Sequence, residues 1–176
     1  MKKIGLISDT HGYLDPRVKT YFENCDEIWH AGDFGTYKIV DQLQKIATVR
    51  GVYGNIDGSD IRSEFPQSLR FELEGVDIFI THIGGNPGRY ALPCKQELEE
   101  NPPDVMICGH THLLKIARDK KNNNLLYINP GAAGKQGFHM IRTIVRFELD
   151  QGRISNMEVI NLGGRTKNET ITRKNV

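Results

Sequence analysis

The stretch Ile4-Gly5-Leu6-Ile7-Ser8-Asp9-Thr10-His11-Gly12 decides how the rest of the chain is read. A short apolar run that breaks into a polar, glycine-containing loop reads as a buried strand. The segments that follow repeat this alternation. Residues 16–24 carry Val18, Tyr21 and Phe22 at helical spacing, with Asp15 as the N-cap and Pro16 at the first helical position. Glu27–His30 reads as a second strand. Thr36–Ile46 reads as an amphipathic helix through Ile39, Val40, Leu43 and Ile46, and Thr48–Val52 as a third strand. Strand, helix, strand, helix, strand is the order of a parallel sheet with crossover helices.

The later part changes character. Ser68–Leu73 and Val76–Ile80 flank Glu74-Gly75, a hairpin signal. Glu97–Asn101 closes a short helix before Pro102-Pro103, and Val105–Cys108 is another buried strand. Leu113–Arg118 faces Leu125–Asn129 across a polar turn, and Thr143–Leu149 faces Ile154–Ile160 across Asp150-Gln151-Gly152. The expected architecture is an α/β fold of two packed mixed β-sheets flanked by helices, in one domain over residues 1–164. Residues 165–176 carry four basic residues against one acidic and no apolar periodicity. They read as a polar, flexible tail rather than a nucleic-acid arm.

Composition narrows the function classes. The chain has 176 residues, 23 Lys+Arg against 22 Asp+Glu, and a formal net charge of +1. That length and 38% hydrophobic residues suit one globular domain with a sizeable core. Near-neutral charge argues against a dedicated binder of nucleic acid or membrane surfaces. Cys25, Cys94 and Cys108 are widely spaced and odd in number, which excludes a disulfide scaffold or zinc ribbon and fits a reducing cytoplasm. The start Met1-Lys2-Lys3 imitates a signal peptide, but the apolar run ends at Ser8, short of the roughly 7–15 residues a secretory core needs. No stretch approaches the roughly 20 apolar residues of a membrane span.

The metal-capable residues fall in telling places. Asp9 and His11 follow the first strand, Gly32-Asp33 the second and Gly54-Asn55 the third. His82 ends the run Asp77–Thr81, and His110 and His112 follow Val105–Cys108. Strands of a parallel sheet deliver their C-terminal ends to one edge, where ligands bind. His110 and His112, two apart after a strand, would point the same way from an extended segment. Glycines 12, 32, 54 and 109 would let the backbone turn tightly into the site.

Taken in order, Asp9-Thr10-His11, Gly32-Asp33, Gly54-Asn55, Thr81-His82 and Gly109-His110-Thr111-His112 resemble the calcineurin-like metallophosphoesterases. The short length and Gly54-Asn55-Ile56-Asp57 look most like the small single-domain phosphodiesterase branch, which also holds a non-catalytic trafficking subunit of retromer type. The resemblance implies a site with Asp9, His11 and His112 on a first metal, Asn55, His82 and His110 on a second, and Asp33 bridging. It implies hydrolysis of phosphodiesters by a metal-bridging hydroxide, with Asp33, Asn55 and His82 catalytic through the metal centre. Carboxylate, imidazole and amide donors suit two divalent transition metal ions, manganese foremost, with nickel, iron, zinc or cobalt as alternatives. The partner is then a small phosphodiester or other phosphate ester, with nucleic acid entering only as a substrate and homo-oligomers left open. Phosphomonoester hydrolysis and a non-catalytic scaffold of the same fold are the rival readings.

One departure stands out. Many members of the wider family carry a general-acid histidine directly after the asparagine, where this chain has Ile56. Asp57 reads as an outer partner orienting a ligand histidine or as a turn residue. His30 reads as an outer packing or hydrogen-bonding residue. His139, within Lys135–Arg142, reads as part of a solvated loop rather than a phosphate contact. Tyr13, Phe34 and Tyr90 are candidates to line the pocket, against the commoner fate of core packing.

Overall fold

In the computed structural model of the chain, residues 1–166 are described. The expected tail falls mostly on residues 167–176, outside them. Strands β1 (Lys2–Ile7), β2 (Glu27–His30) and β3 (Thr48–Gly51) run parallel, joined by helices α1 (Arg17–Phe22) and α2 (Tyr37–Gln44). After helix α3 (Ser59–Glu64) come strands β4 (Ser68–Leu73) and β5 (Val76–Thr81), then the small hairpin β6 (Gly85–Asn86) and β7 (Arg89–Tyr90). Helix α4 (Leu92–Glu100) leads to β8 (Val105–Ile107), β9 (Leu114–Asp119), β10 (Leu125–Pro130), β11 (Ile141–Asp150) and β12 (Arg153–Gly164). One sheet has the order β12-β11-β1-β2-β3, the other β4-β5-β8-β10-β9. Both are mixed: β11 pairs antiparallel with β1, while β5, β8 and β10 run parallel.

Strand alternation explains the layers. Ile4, Leu6 and Trp29 from the first sheet meet Ile78, Ile80, Ile107 and Ile128 from the second in a core between the sheets. The opposite face of the first sheet packs Ile7, Ile28 and Ile144 on Val18, Phe22, Ile39 and Leu43 of α1 and α2, and on Ile61 of α3. The outer face of the second sheet packs Phe79, Met106 and Tyr127 on Cys94 and Leu98 of α4. Successive side chains of a strand point to opposite faces, so one sequence run serves two cores.

The expected two packed mixed sheets with flanking helices are present. The expected hairpins close where Glu74-Gly75 and Gln151-Gly152 take positive φ, as tight two-residue turns require. Helix α1 is shorter than its apolar spacing suggested, although the Asp15 carboxylate still accepts from the Arg17 N–H at 3.0 Å. Helix α4 ends at Glu100, within the segment expected to close a helix. Helix α3 went unread because Ser59–Glu64 buries a single side chain, Ile61, and so has no apolar period.

Asp15 is also the acceptor of a buried ion pair from Arg142 of β11, which ties the segment before α1 to β11 and β12. Arg142 donates to Asp15 Oδ2 at 2.8 Å, to Leu162 O at 2.7 Å and to Gly164 O at 3.0 Å. Hydrogen bonds from Arg17, then Arg142, hold the Asp15 carboxyl well below the usual aspartate range. Arg142→Met should therefore cost about 2 kcal/mol in urea unfolding at neutral pH, because charged hydrogen bonds are lost from a buried carboxylate. A carboxylate with a depressed native pKa stabilises the fold above its unfolded value and loses that contribution as pH falls. The gap between wild type and variant should accordingly narrow below pH about 4; a gap that stays constant into acid would assign the loss to packing instead.

Candidate metal centre

The C-terminal ends of β1, β2 and β3 from one sheet and of β5 and β8 from the other meet at one edge of the sandwich. Backbone bonds lace these ends together: Asp9 N–H donates to Gly32 O, His11 N–H to Asp33 O and Gly109 N–H to His82 O, each at 3.0 Å. All seven side chains singled out from the sequence are gathered here. The sequence reading placed them on one parallel sheet edge; the edge is instead shared by two sheets.

Backbone conformation sets these residues apart. Asp9, His11, Asp33, His110 and His112 all take positive φ, between 47° and 66°. Left-handed backbone costs a non-glycine residue roughly 1–2 kcal/mol, and such strain collects at functional sites. The neighbouring glycines are spaces for ligand-type atoms. A Cβ on Gly54 would lie 2.0 Å from Asp33 Oδ1, and one on Gly109 would lie 2.1 Å from Ser8 Oγ. The expectation that His110 and His112 extend from β8 in the same direction is corrected. Both residues are left-handed, and their rings diverge to opposite halves of the cluster.

One half holds Asp9, His11 and His112. Nε2 of His112 is 3.2 Å from Asp9 Oδ1, and the Nε2 atoms of His11 and His112 are 3.1 Å apart. The other half holds Asn55, His82 and His110. Asn55 Oδ1 lies 3.0 Å from both His82 Nε2 and His110 Nδ1. Asp33 Oδ2 sits between, 3.6 Å from His11 Nε2 and 3.3 Å from His82 Nε2. Asp9, fully buried, is also close enough to Asp33 and His82 to share a ligand position with them.

The protons can be placed by their partners. His82 Nδ1 is 2.8 Å from Ala31 O, and a carbonyl only accepts, so Nδ1 carries the hydrogen and the neutral ring presents a lone pair at Nε2. That lone pair faces Asn55 Oδ1 and the Asp33 carboxylate, which are also acceptors. Nε2 and the two oxygens converge on a point that takes positive charge, either a proton on Nε2, which the raised His82 pKa favours when no ion is bound, or a metal cation that displaces it. Among the described residues, the ion-pair partners of Asp9 and Asp33 are histidines. Two buried carboxylates without a fixed positive charge are costly. The titration shifts point the same way. Burial opposes charging His82, but Asp33 and Asp9 outweigh it and raise its pKa. Burial likewise opposes the Asp33 carboxylate, but His82 and the Ile56 N–H outweigh it and lower that pKa. Burial lowers the His11 pKa. The cluster attracts positive charge at its centre, and its nitrogen and oxygen donors fit divalent transition ions.

Residues around the cluster hold it. Ser8 donates to Asp9 Oδ2 at 2.6 Å, a contact the sequence reading missed. Asn129 donates to Gly109 O at 2.8 Å and Thr111 Oγ1 at 3.0 Å, pinning the loop of His110 and His112. Asp57 orients no histidine; its buried carboxylate accepts from the N–H groups of Asp33, Gly35 and Gly54 at 3.0, 2.8 and 2.8 Å. His30 is outside the cluster and fully buried, stacked on Phe34 at 3.6 Å between centroids, with its pKa pushed down to about 3 by burial. Gly32 N–H donates to its Nδ1, so its Nε2–H faces Thr10 Oγ1, which passes the chain of bonds to Phe34 O.

His139 corrects another expectation. It is buried rather than solvated, donates through Nε2 to Gly134 O at 3.1 Å, and sets its ring edge-on to His112 at 5.2 Å. Its loop folds over the cluster because Gly137, at φ 112°, leaves room for the His112 ring. Arg142 is spent on Asp15, and Lys135 lies over the Tyr13 ring at 4.0 Å. Of the aromatics considered for the pocket, Phe34 is core and Tyr90 donates to Asp119 at 2.6 Å.

Comparison with known proteins places this edge in context. The profile of the calcineurin-like phosphoesterase superfamily domain matches residues 1–152. A probable metallophosphoesterase of Methanocaldococcus jannaschii is 33% identical over 142 residues, covering 73% of this chain and 67% of that protein. Among solved structures, a novel archaeal phosphodiesterase superposes with a TM-score of 0.72 at 27% identity, over 91% of this chain and 99% of that one. Vps29 of Chaetomium thermophilum shares the fold with a TM-score of 0.72 at 15% identity, over 94% of this chain and 100% of its own.

Proposed function

The chain belongs to the calcineurin-like phosphoesterase superfamily, and from that membership we propose that it is a dinuclear metal-dependent phosphodiesterase. The observation that carries the proposal is the convergence of buried nitrogen and oxygen ligand atoms, His82 Nε2 lying 3.0 Å from Asn55 Oδ1 and 3.3 Å from Asp33 Oδ2. In this reading Asp9, His11 and His112 hold one ion, Asn55, His82 and His110 the other, and Asp33 is shared. Such ions, when bound, supply Lewis acidity toward phosphoryl oxygens and a water that ionises near neutral pH. Manganese is the favoured metal, and the preference for diesters is supported by the likeness to the archaeal phosphodiesterase.

The chain's own residues prepare the site. Ala31 O fixes the His82 tautomer, Ser8 and the His110 N–H hold the Asp9 carboxylate, and the Ile56 N–H holds Asp33 Oδ1 at 3.1 Å. Ile56 thus serves through its backbone, while its side chain, 47% exposed, has no proton to give a leaving group. General acids contribute about 10²–10⁴-fold to such steps. Aryl diesters should therefore be hydrolysed at least about 10²-fold faster than alkyl diesters with the same second arm. Comparable rates on both would show that another group protonates the leaving oxygen.

The deciding experiment strips the purified protein of metal and restores Mn²⁺, Ni²⁺, Zn²⁺ or Mg²⁺ singly, assaying bis(4-nitrophenyl) phosphate beside 4-nitrophenyl phosphate. Metal-restored cleavage favouring the diester supports the proposal; a monoester preference makes the protein a phosphomonoesterase. A folded protein that takes up no metal makes the scaffold reading correct. No helix among the described residues is long and apolar enough to cross a membrane. Cys25, Cys94 and Cys108 are free buried thiols, which supports placing the protein in a reducing cytoplasm.

A further inference from the structure

A cleft of about 530 Å³ opens directly on the Asn55–His82 half of the cluster. It is walled by Tyr53 and Arg62 on the α3 side and by Ile83, just after β5, and Pro93 at the start of α4, with Phe79 and Ser68 of β5 and β4 also lining it. Its volume is in the range of small-molecule sites, and its mixture of rings, aliphatic carbons and a few polar atoms is theirs too. Arg62 is held rather than loose. Its Nε donates to Asp57 O at 2.7 Å, Nη2 reaches Asn55 O at 3.2 Å, and its guanidinium lies 4.5 Å from the Tyr53 ring centroid. Its guanidinium meets backbone carbonyls and a ring face, so its charge stays available beside the cluster. Ile83 is 46% exposed although it directly follows the buried His82, as a wall facing a ligand would be. A hollow of similar size near Lys3, Cys25 and Glu148 touches none of the seven cluster residues.

We propose that this cleft binds the ester arm that stays on phosphorus, and that it selects a planar aromatic arm. The inference rests on the phosphodiesterase reading. In an in-line displacement the attacking water and the departing oxygen occupy opposite positions on phosphorus. Water attacking from the cluster side forms the new P–O bond while the bond to the leaving group breaks on the solvent side. The proton released from water ends in solvent or on the departing oxygen, and the product is a monoester that keeps the other arm. That retained arm projects sideways, along the wall of the cluster, where the cleft begins. Tyr53, with the Arg62 guanidinium lying on its ring, and Ile83 and Pro93 offer apolar walls to a flat ring, over a floor formed by the largely buried Phe79. Ser68 and Arg62 offer hydrogen bonds at its edge.

The test holds the leaving group constant. Metal-loaded protein is assayed with methyl 4-nitrophenyl phosphate and phenyl 4-nitrophenyl phosphate, and the ratio of their kcat/KM values is compared with the uncatalysed ratio. The phenyl ester should be favoured by at least about tenfold beyond intrinsic reactivity, in line with what a filled apolar pocket discriminates. Ile83→Ser strips one wall and Ser68→Trp fills the cleft from an exposed strand position; both should return the ratio to the uncatalysed one. Phenyl phosphate should shift the backbone amide resonances of Ser68 and Ile83 in the wild-type protein and lose affinity in both variants. Equal ratios in wild type and variants, with hydrolysis intact, overturn the cleft assignment and leave the phosphodiesterase reading standing. Failure of every metal to restore hydrolysis of either ester overturns both.

Discussion

Asp33→Asn is expected to lower metal-restored diester hydrolysis by about 10³-fold. The estimate converts several kcal/mol of lost charge stabilisation at one tenfold per 1.4 kcal/mol. Asp33 Oδ2 is the atom between the two halves of the cluster, and the Asp33 side chain is 3% exposed. Asparagine keeps an oxygen for the Ile56 N–H, so the local fold should survive, but it removes the charge that both halves face. The two effects separate in a stability measurement. Without metal, the variant should melt somewhat below the wild type at neutral pH, because the carboxylate whose pKa the fold holds down contributes stability that asparagine lacks. With Mn²⁺ at about a hundred times its dissociation constant, the wild type should gain about 2.7 kcal/mol and the variant much less. Metal content by elemental analysis should fall with activity. Unchanged metal content and an unchanged rate would remove Asp33 from the centre of the site.

Asp57→Ala carries the second large effect, and it reaches the site through the backbone. Three amide N–H groups, of Asp33, Gly35 and Gly54, lose their acceptor. Each buried donor left unsatisfied costs about 1–3 kcal/mol, so a total of about 4 kcal/mol in denaturant unfolding is expected. Folded variant should retain reduced activity, by about 10–100-fold, because the bonds lost hold the segments bearing Asp33 and Asn55. Asp57→Asn is the informative companion. Its single amide oxygen can still accept from Asp33 and Gly54, while its NH₂ group meets the Gly35 N–H, so an intermediate loss is expected in both stability and rate. A destabilised Asp57→Ala protein with full activity per bound metal would confine Asp57 to folding.

These two residues mark the limits of reading the chain locally. Asp33 follows the apolar run Glu27–His30, and its position at a strand end is visible in sequence because a buried strand must break into polar loop. Asp57 lies in a Gly-rich segment where an aspartate commonly closes a turn. That its carboxylate satisfies amides near residue 33 follows only once β2 and β3 lie side by side. His110 and His112 show the same limit. Spacing of two implies one direction in extended backbone, but Asn129 and the Gly109 carbonyl fold the loop into left-handed turns that send the rings apart. His139 belongs to a segment that looks solvated, and its burial comes from packing against a ring 27 residues away.

The order of the main strands and helices apart from α3 and the small β6–β7 hairpin, the longer hairpin turns and the seven clustered side chains were legible in the amino-acid sequence, because alternation, turn chemistry and strand-end polarity are local properties. The joining of the cluster was not. Asn55 and Asp33 come from one sheet and His82 from the other, and they meet because burying Ile4, Leu6 and Trp29 against Ile78, Ile107 and Ile128 sets the two sheet edges together. Side chains tens of residues apart then lie about 3 Å apart. Hydrophobic burial between the sheets, a nonlocal and nondirectional force, is what brings these ligand atoms face to face and makes their meeting point attract positive charge.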